Sequence, residues 1–414
     1  MKQEGTIVGL DVGTTKTVVI VGQVQEGMIQ IIGIGKSPNS GMRKGTVVDI
    51  EDTVSAISSA IEQAERSSAV PINSCYTSVG GNQVVSAESK GVVAVSKADG
   101  EIQEVDKDRV LEAANSVALP PNYEILHSVP KFYSVDNQPE IKDPIGMSGI
   151  RLEVTSHIIG IATAALRNLS KAVTQSGLDI DGIIFGPLAD QKAFLGKKQK
   201  EIGSILINIG ASNTSMVVYE ENTLIHSKVI PVGANHITND IAIGLKINLD
   251  AAEKIKLNEV TASLEDVRDS EKIDLSKYDP NEKERPTRRY VCEIAEARLN
   301  EIFSMIKDEL KSIDRDEMLP AGAVLVGGGA KLEGLQQFVK KALNLPVQIG
   351  KPIFEVSGIV DKLDDPQYST AVGLMLWGID EAQTNVSNKN RQINFGKVGG
   401  AFDKVKDIFK NFIP

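Results

Sequence analysis

The stretch Ile7–Val21, IVGLDVGTTKTVVIV, is matched halfway down the 414-residue chain by Ile205–Val218, ILINIGASNTSMVV. The offset is a constant 197 residues: Asp11 falls on Asn208, Gly13 on Gly210 and Thr17 on Thr214. Each segment reads as an apolar strand, a tight glycine turn with small hydroxyl residues, and a second apolar strand. A single hairpin of this kind needs its glycine only for the turn. Two of them, one per half, are what a duplicated fold needs to clamp a phosphate chain between its lobes. Glycine admits positive φ and close backbone approach, and successive N–H groups in a turn attract anions. Thr14, Thr15 and Lys16 add two hydroxyls and a positive charge to the first loop. Ala211, Ser212, Asn213 and Thr214 complete the second.

A third glycine element follows. In Val324–Leu332, VLVGGGAKL, an apolar strand enters Gly327, Gly328 and Gly329, then Ala330 and a helical pattern of Leu335, Phe338, Val339 and Leu343. Three glycines at a strand end carry an entropic cost that points to close approach by a ligand. Between the loops, Glu253 and Lys256 stand three apart on one helical face, a spacing that most often makes only a surface ion pair.

The length predicts two to three domains, with a 41% hydrophobic fraction ample for their cores. Cys75 and Cys292 stand far apart with no CxxC partner, and the four histidines lack HxxxH or HxH spacing, so no disulfide framework or protein-only metal site is expected. The reading is a cytosolic protein without a signal peptide or an eighteen-residue apolar run. A net charge of −10 argues against nucleic acid as a partner.

Along the chain, residues 1–88 and 164–200 are read as a first lobe, interrupted by an inserted α+β subdomain at 89–163. Residues 201–233 and 317–385 form the core of a second lobe, with an outer subdomain at 234–316. Helices are expected at 51–67, 106–118, 165–175 and, with an amphipathic face from Val291 to Leu310, at 288–313. Residues 386–398 are rich in Asn, Gly and charge and read as a flexible linker.

The chain ends in 399–414, where Phe402, Val405, Ile408, Phe409, Phe412 and Ile413 share one helical face and Lys404, Lys406 and Lys410 lie opposite, with Asp403 and Asp407. From residue 386 on, six basic residues outnumber two acids, a net +4 tail on a body of −14. An aromatic face, lysines opposite it and a linker behind fit an interfacial membrane anchor. The alternative is a helix docked on its own domain or in a partner's groove. Burying six such side chains gives roughly 10 kcal/mol on transfer scales, most of it consumed by partial insertion, helix formation and lost mobility. A single helix then holds weakly, and firm attachment needs several tails presented together, as in a polymer.

These residues resemble the FtsA family of actin-like bacterial cell division proteins, over nearly the whole length. The superfamily signature is GLDVGTTKT, the hairpin at Ile205 and LVGGGAKLEG. More specific are residues 125–153, PVQIGKP at 346–352, DPQYSTAVGL at 365–374, and the tail. The resemblance implies an α/β actin-like duplicated two-lobed fold with an inserted subdomain making longitudinal contacts between copies in protofilaments. It implies ATP as cofactor, with Mg near Asp11. Phosphates would be held by Asp11, Gly13, Thr14, Thr15, Lys16, Gly210, Ala211, Ser212, Asn213 and Thr214, with Gly233 in the same site. Gly327, Gly328, Gly329 and Ala330 would approach the nucleoside, and Glu253 and Lys256 would contact it. The implied partners are the anionic inner surface of the cytoplasmic membrane at the division site, the C-terminal tail of FtsZ and other division proteins. Arg298 is the residue matching the family's FtsZ-binding arginine, with Arg289 the weaker candidate.

The departures concern hydrolysis. Related phosphate loops usually begin with aspartate where this chain has Asn208. The place where fast ATPases of the superfamily carry Glu or Gln reads Gly186-Pro187, with Asp190 and Gln191 a few residues on. Losing both groups predicts binding with weak or absent turnover. A PilM-like pilus scaffold and a sugar-kinase phosphotransferase are the alternatives. No general base is singled out for the latter.

Overall fold

The computed structural model describes residues 5–25, 28–116, 119–354, 356–359 and 364–392. The terminal helix expected at 399–414 lies outside them. Both glycine hairpins belong to sheets of the same plan. In the first lobe, strands run in the order Asp179–Phe185, Ser74–Val79, Thr6–Val12, Lys16–Gln25, Met28–Pro38, Val356–Gly358. In the second, Val347–Ile349, Gly322–Val326, Ser204–Ile209, Thr214–Glu220 and Thr223–Ile230 follow one another. Each sheet has a three-strand antiparallel meander whose first strand pairs in parallel with a later one. The registers repeat too: Asp11 pairs with Val18 and Asn208 with Ser215, Val12 with Thr17 and Ile209 with Thr214.

The inner part of strand Lys16–Gln25 is apolar because helices cover both faces of the sheet. Val18, Val19, Ile20 and Val21 are all buried. Helix Ile50–Ser68 covers one side; the Asp49 carboxylate caps it by accepting from the Asp52 N–H at 3.0 Å, and Ala56, Ile57, Ala60, Ile61 and Ala64 face inward. On the other side run helices Gly186–Phe194 and Ser369–Gln392. Leu188, Ala189 and Phe194 of the shorter helix and Leu374 and Met375 of the longer pack with Val18 and Ile20 of one sheet and Leu206, Val217 and Val326 of the other. The two lobes therefore meet across a common apolar layer. The second lobe's other face is covered by Ala234–Leu245, Leu249–Glu259 and Arg288–Ser312, whose Val291, Ala295, Leu299, Ile302 and Ile306 are buried.

The inserted unit is a four-stranded antiparallel sheet ordered Val84–Ala94, Arg151–Ala162, Tyr123–Val135, Gln138–Ile141, with helix Glu104–Ala114 packed on it through Val110 and Ala114. Two readings are corrected here. The sequence reading cuts at residue 88, but Val84–Ala94 is one strand, paired unbroken from Val84 with Ile161 to Ala94 with Arg151. The polar run Glu88–Lys90 hid this continuity; Ser89 is buried, its hydroxyl donating to the Ala114 carbonyl at 2.6 Å. Second, the stretch read as linker from 386 opens as helix through Gln392. No Pro or Gly interrupts residues 384–392, and extending a helix is far easier than starting one.

Candidate functional site

The two hairpin loops close in the same way. The Gly13 N–H donates to the Lys16 carbonyl and the Gly210 N–H to the Asn213 carbonyl, each at 2.9 Å. Asn39 fastens the first loop, its Nδ2 donating to the Gly13 carbonyl at 3.0 Å. The second loop rests on the start of helix Ala234–Leu245, where the Ala234 and Asn235 N–H groups donate to Gly210 and Ala211 carbonyls at 2.9 and 2.8 Å.

Both loops open on one cavity of ≈ 980 Å³ between the lobes, and the third glycine loop forms part of its wall. Of the expected residues, Asp11, Gly13, Thr14, Thr15, Lys16, Gly210, Ala211, Ser212, Asn213, Glu253, Lys256, Gly327, Gly328 and Gly329 line it. Three do not. Thr214 is fully buried and donates its hydroxyl to the Val232 carbonyl at 2.8 Å, since it sits in the strand opposite Ile209 instead of in the turn. Ala330 belongs to the apolar core of the second lobe, and Gly233 caps helix Ala234–Leu245 behind the loop.

The charges are arranged in two layers. At the wall, burial raises the Asp11 carboxyl above its usual range, partly offset by a 2.7 Å bond from the Ser78 hydroxyl and by Lys16. Lys16 is lowered to about 8, first by burial and then by Lys36. Lys36 and Lys331 were not anticipated from sequence; with Lys16 they bring three ammonium groups to the cavity. Lys256 donates to Glu253 at 2.6 Å and to Thr238 Oγ1 at 2.9 Å, so the pair seen as a helical spacing is a half-buried cluster at the wall.

Behind the wall lies Asp190, fully buried. Its carboxylate accepts from Asn208 Nδ2 at 2.6 Å and from Thr370 Oγ1 at 2.9 Å. Burial pushes it up to about 7 against the pull of these bonds. Gln191 turns away, donating to the Leu188 carbonyl at 3.0 Å. Gly186 and Pro187 line the cavity, whereas Asp190 and Gln191 do not.

The arginines lie elsewhere, on helix Arg288–Ser312. Arg298 is gripped by Asp240 through two bonds of 2.7 and 2.9 Å and also meets Glu301, leaving 23% of its side chain exposed. Arg289 is 41% exposed and pairs more loosely with Asp269 at 3.3 Å and Glu293 at 3.4 Å. Among the described residues, no helix is long and apolar enough to cross a membrane.

Two family models match the chain: cell division protein FtsA at residues 205–373, and the SHS2 domain inserted in FtsA at 81–160. The cell division protein FtsA of Pseudomonas aeruginosa is 36% identical over 92% of this chain and 91% of its own. That of Borreliella burgdorferi is 37% identical over 97% and 94%. The Escherichia coli K12 protein is 33% identical over 90% of each. Among solved structures, the PilM-PilN type IV pilus biogenesis complex matches with TM-score 0.67 at 16% identity, covering 90% of this chain and 98% of its own. ADP-bound MreB5 of Spiroplasma citri matches with TM-score 0.56 at 11% identity, covering 93% and 99%. These last two establish the actin-like fold alone.

Proposed function

The chain belongs to the FtsA cell division family, and from that premise we propose that it is an ATP-binding actin-like scaffold that polymerises on the inner face of the cytoplasmic membrane and ties FtsZ filaments to it. That it is an actin-like division scaffold follows from the family. The observation that carries it is the meeting of three glycine loops on one cavity between the lobes. The residues there fit Mg-ATP. Lys16, Lys36 and Lys331 complement a phosphate chain. Asp11 and Asn208 offer the oxygen ligands that hydrated magnesium prefers. Leu257 and Val260 give an apolar wall next to the Glu253–Lys256 pair for the nucleoside. Magnesium, when bound, would neutralise part of the phosphate charge.

Turnover is the weak side of this site. The wall offers Gly186-Pro187 where a water-positioning carboxylate or amide would be needed, and the Asp190 carboxylate is sealed behind Asn208. Positioning and charge do most of the work in phosphoryl transfer, so ATP binds and is hydrolysed slowly. Titration with ATP and Mg should saturate, weaken at least about tenfold in Lys16→Ala, and accompany turnover below about 1 per second. Sustained turnover above that rate would contradict the reading.

For the FtsZ tail, the face at the start of helix Arg288–Ser312 is proposed, with Arg289 the more available anchor because Arg298 is committed to Asp240. Arg289→Glu should reduce capture by an immobilised FtsZ tail peptide about tenfold. Unchanged capture would move the site elsewhere.

A further inference from the structure

The segment Asp365–Thr370 touches the first and third glycine loops and Asn208 in the strand that leads into the second. Gln367 Oε1 accepts from both Lys16 Nζ and Lys36 Nζ, each at 2.9 Å. Its Nε2 donates to Asp365 Oδ2 at 2.6 Å, and the same carboxylate oxygen accepts from Lys331 Nζ at 2.6 Å. The Pro366 carbonyl accepts from the Gly327 N–H at 2.9 Å, and Thr370 Oγ1 lies 3.2 Å from Asn208 Nδ2. This segment leads directly into helix Ser369–Gln392, which holds the chain's sole tryptophan, Trp377, in the layer between the lobes.

Two ammonium groups on one neutral amide oxygen are poorly matched. Like charges repel, and a carboxamide returns no charge to either. A phosphate oxygen carries the negative charge that the amide oxygen lacks, so each lysine exchanges an ion–dipole bond for an ion pair. Resting on the nucleotide-binding reading above, we propose that Gln367 is a positioning residue whose Oε1 competes with the phosphate chain for Lys16 and Lys36, so that the start of the C-terminal helix reads whether phosphate is bound. Phosphate takes the lysines, Gln367 is released, and the helix that leads toward the terminal segment is freed of one of its ties to the first lobe. Asp365 and Lys331 keep the segment tied to the second lobe meanwhile.

Two substitutions separate this from a merely structural role because they act in opposite directions. Gln367→Leu removes the competing acceptor and should tighten ATP binding about threefold. Gln367→Glu pairs both lysines with a carboxylate and should weaken it about tenfold. The full-length protein is titrated with Mg-ATP by calorimetry, and emission of Trp377 is followed in parallel. ATP should change the emission of the native protein and leave that of Gln367→Leu nearly unchanged. If both variants bind more weakly, or if the Trp377 response survives in Gln367→Leu, the competition is overturned while nucleotide binding stands. If the native protein gives no binding heat with ATP, both fall together.

Discussion

Gly327→Ala should lower ATP affinity at least a hundredfold, roughly 3 kcal/mol, and lower the melting temperature as well. Gly327 has φ +85° and ψ 169°, a region essentially reserved to glycine. A Cβ there would stand 2.2 Å from Asn208 Oδ1 and 2.7 Å from the Ile209 carbonyl. Neither neighbour can yield cheaply: Asn208 is tied to Asp190, and Ile209 lies in the central strand. The third glycine loop would have to lift off strand Ser204–Ile209, breaking its 2.9 Å bond to Pro366 and misplacing the wall. A fluorescent ATP analogue and a thermal melt measure the two effects. Affinity within threefold of native would mean the loop is not part of the nucleotide site.

The second large effect comes from exchanging the amide of Asn208 for a carboxylate. Asn208→Asp places one carboxylate against another where Nδ2 now donates to Asp190 at 2.6 Å, and leaving a buried acceptor without its donor typically costs about 1–3 kcal/mol, more when the group is charged. The cost is pH-dependent with a definite sign. Asp190 is already raised to about 7, so its folded form binds a proton that the unfolded chain gives up from about pH 4. Its contribution to stability is present at low pH and lost as pH rises through about 7. A second carboxylate steepens that loss, so Asn208→Asp should be near native at pH 5 and strongly destabilised at pH 8. Adding Asp190→Asn should restore stability at pH 8, since the donor and acceptor are then exchanged. Denaturant melts of the four proteins form the double-mutant cycle. Additive effects of the two substitutions would show that they do not act through one another.

The hairpins were legible because everything that makes them is local: the glycine turn, the apolar alternation and the constant offset, which the strand registers reproduce pair by pair. The Glu253–Lys256 spacing was legible for the same reason, although only the fold put it at the cavity wall. Gln367 with Lys16 and Lys36 was not legible, since 351 and 331 residues separate the partners and no local pattern marks them. In the sequence Asp190 stands only as a residue a few positions past Gly186-Pro187, and the packing of helix Gly186–Phe194 against the second hairpin makes it the buried partner of Asn208. Thr214 could have been placed correctly from alternation, because it pairs with Ile209 inside the strand. Asp240, which commits Arg298, lies 58 residues away and left no trace beside it in the sequence.

Co-sedimentation with anionic liposomes tests the scaffold reading most directly, comparing the full-length protein with a version ending at Val398, with and without Mg-ATP, and imaging the pellets by electron microscopy. The full-length protein should pellet, more so with ATP, and form ordered rows on the lipid, while the shortened version stays in solution, since single weak anchors hold only when a polymer gathers them. Equal pelleting of the two, or none by either, would contradict a membrane-tethered polymer.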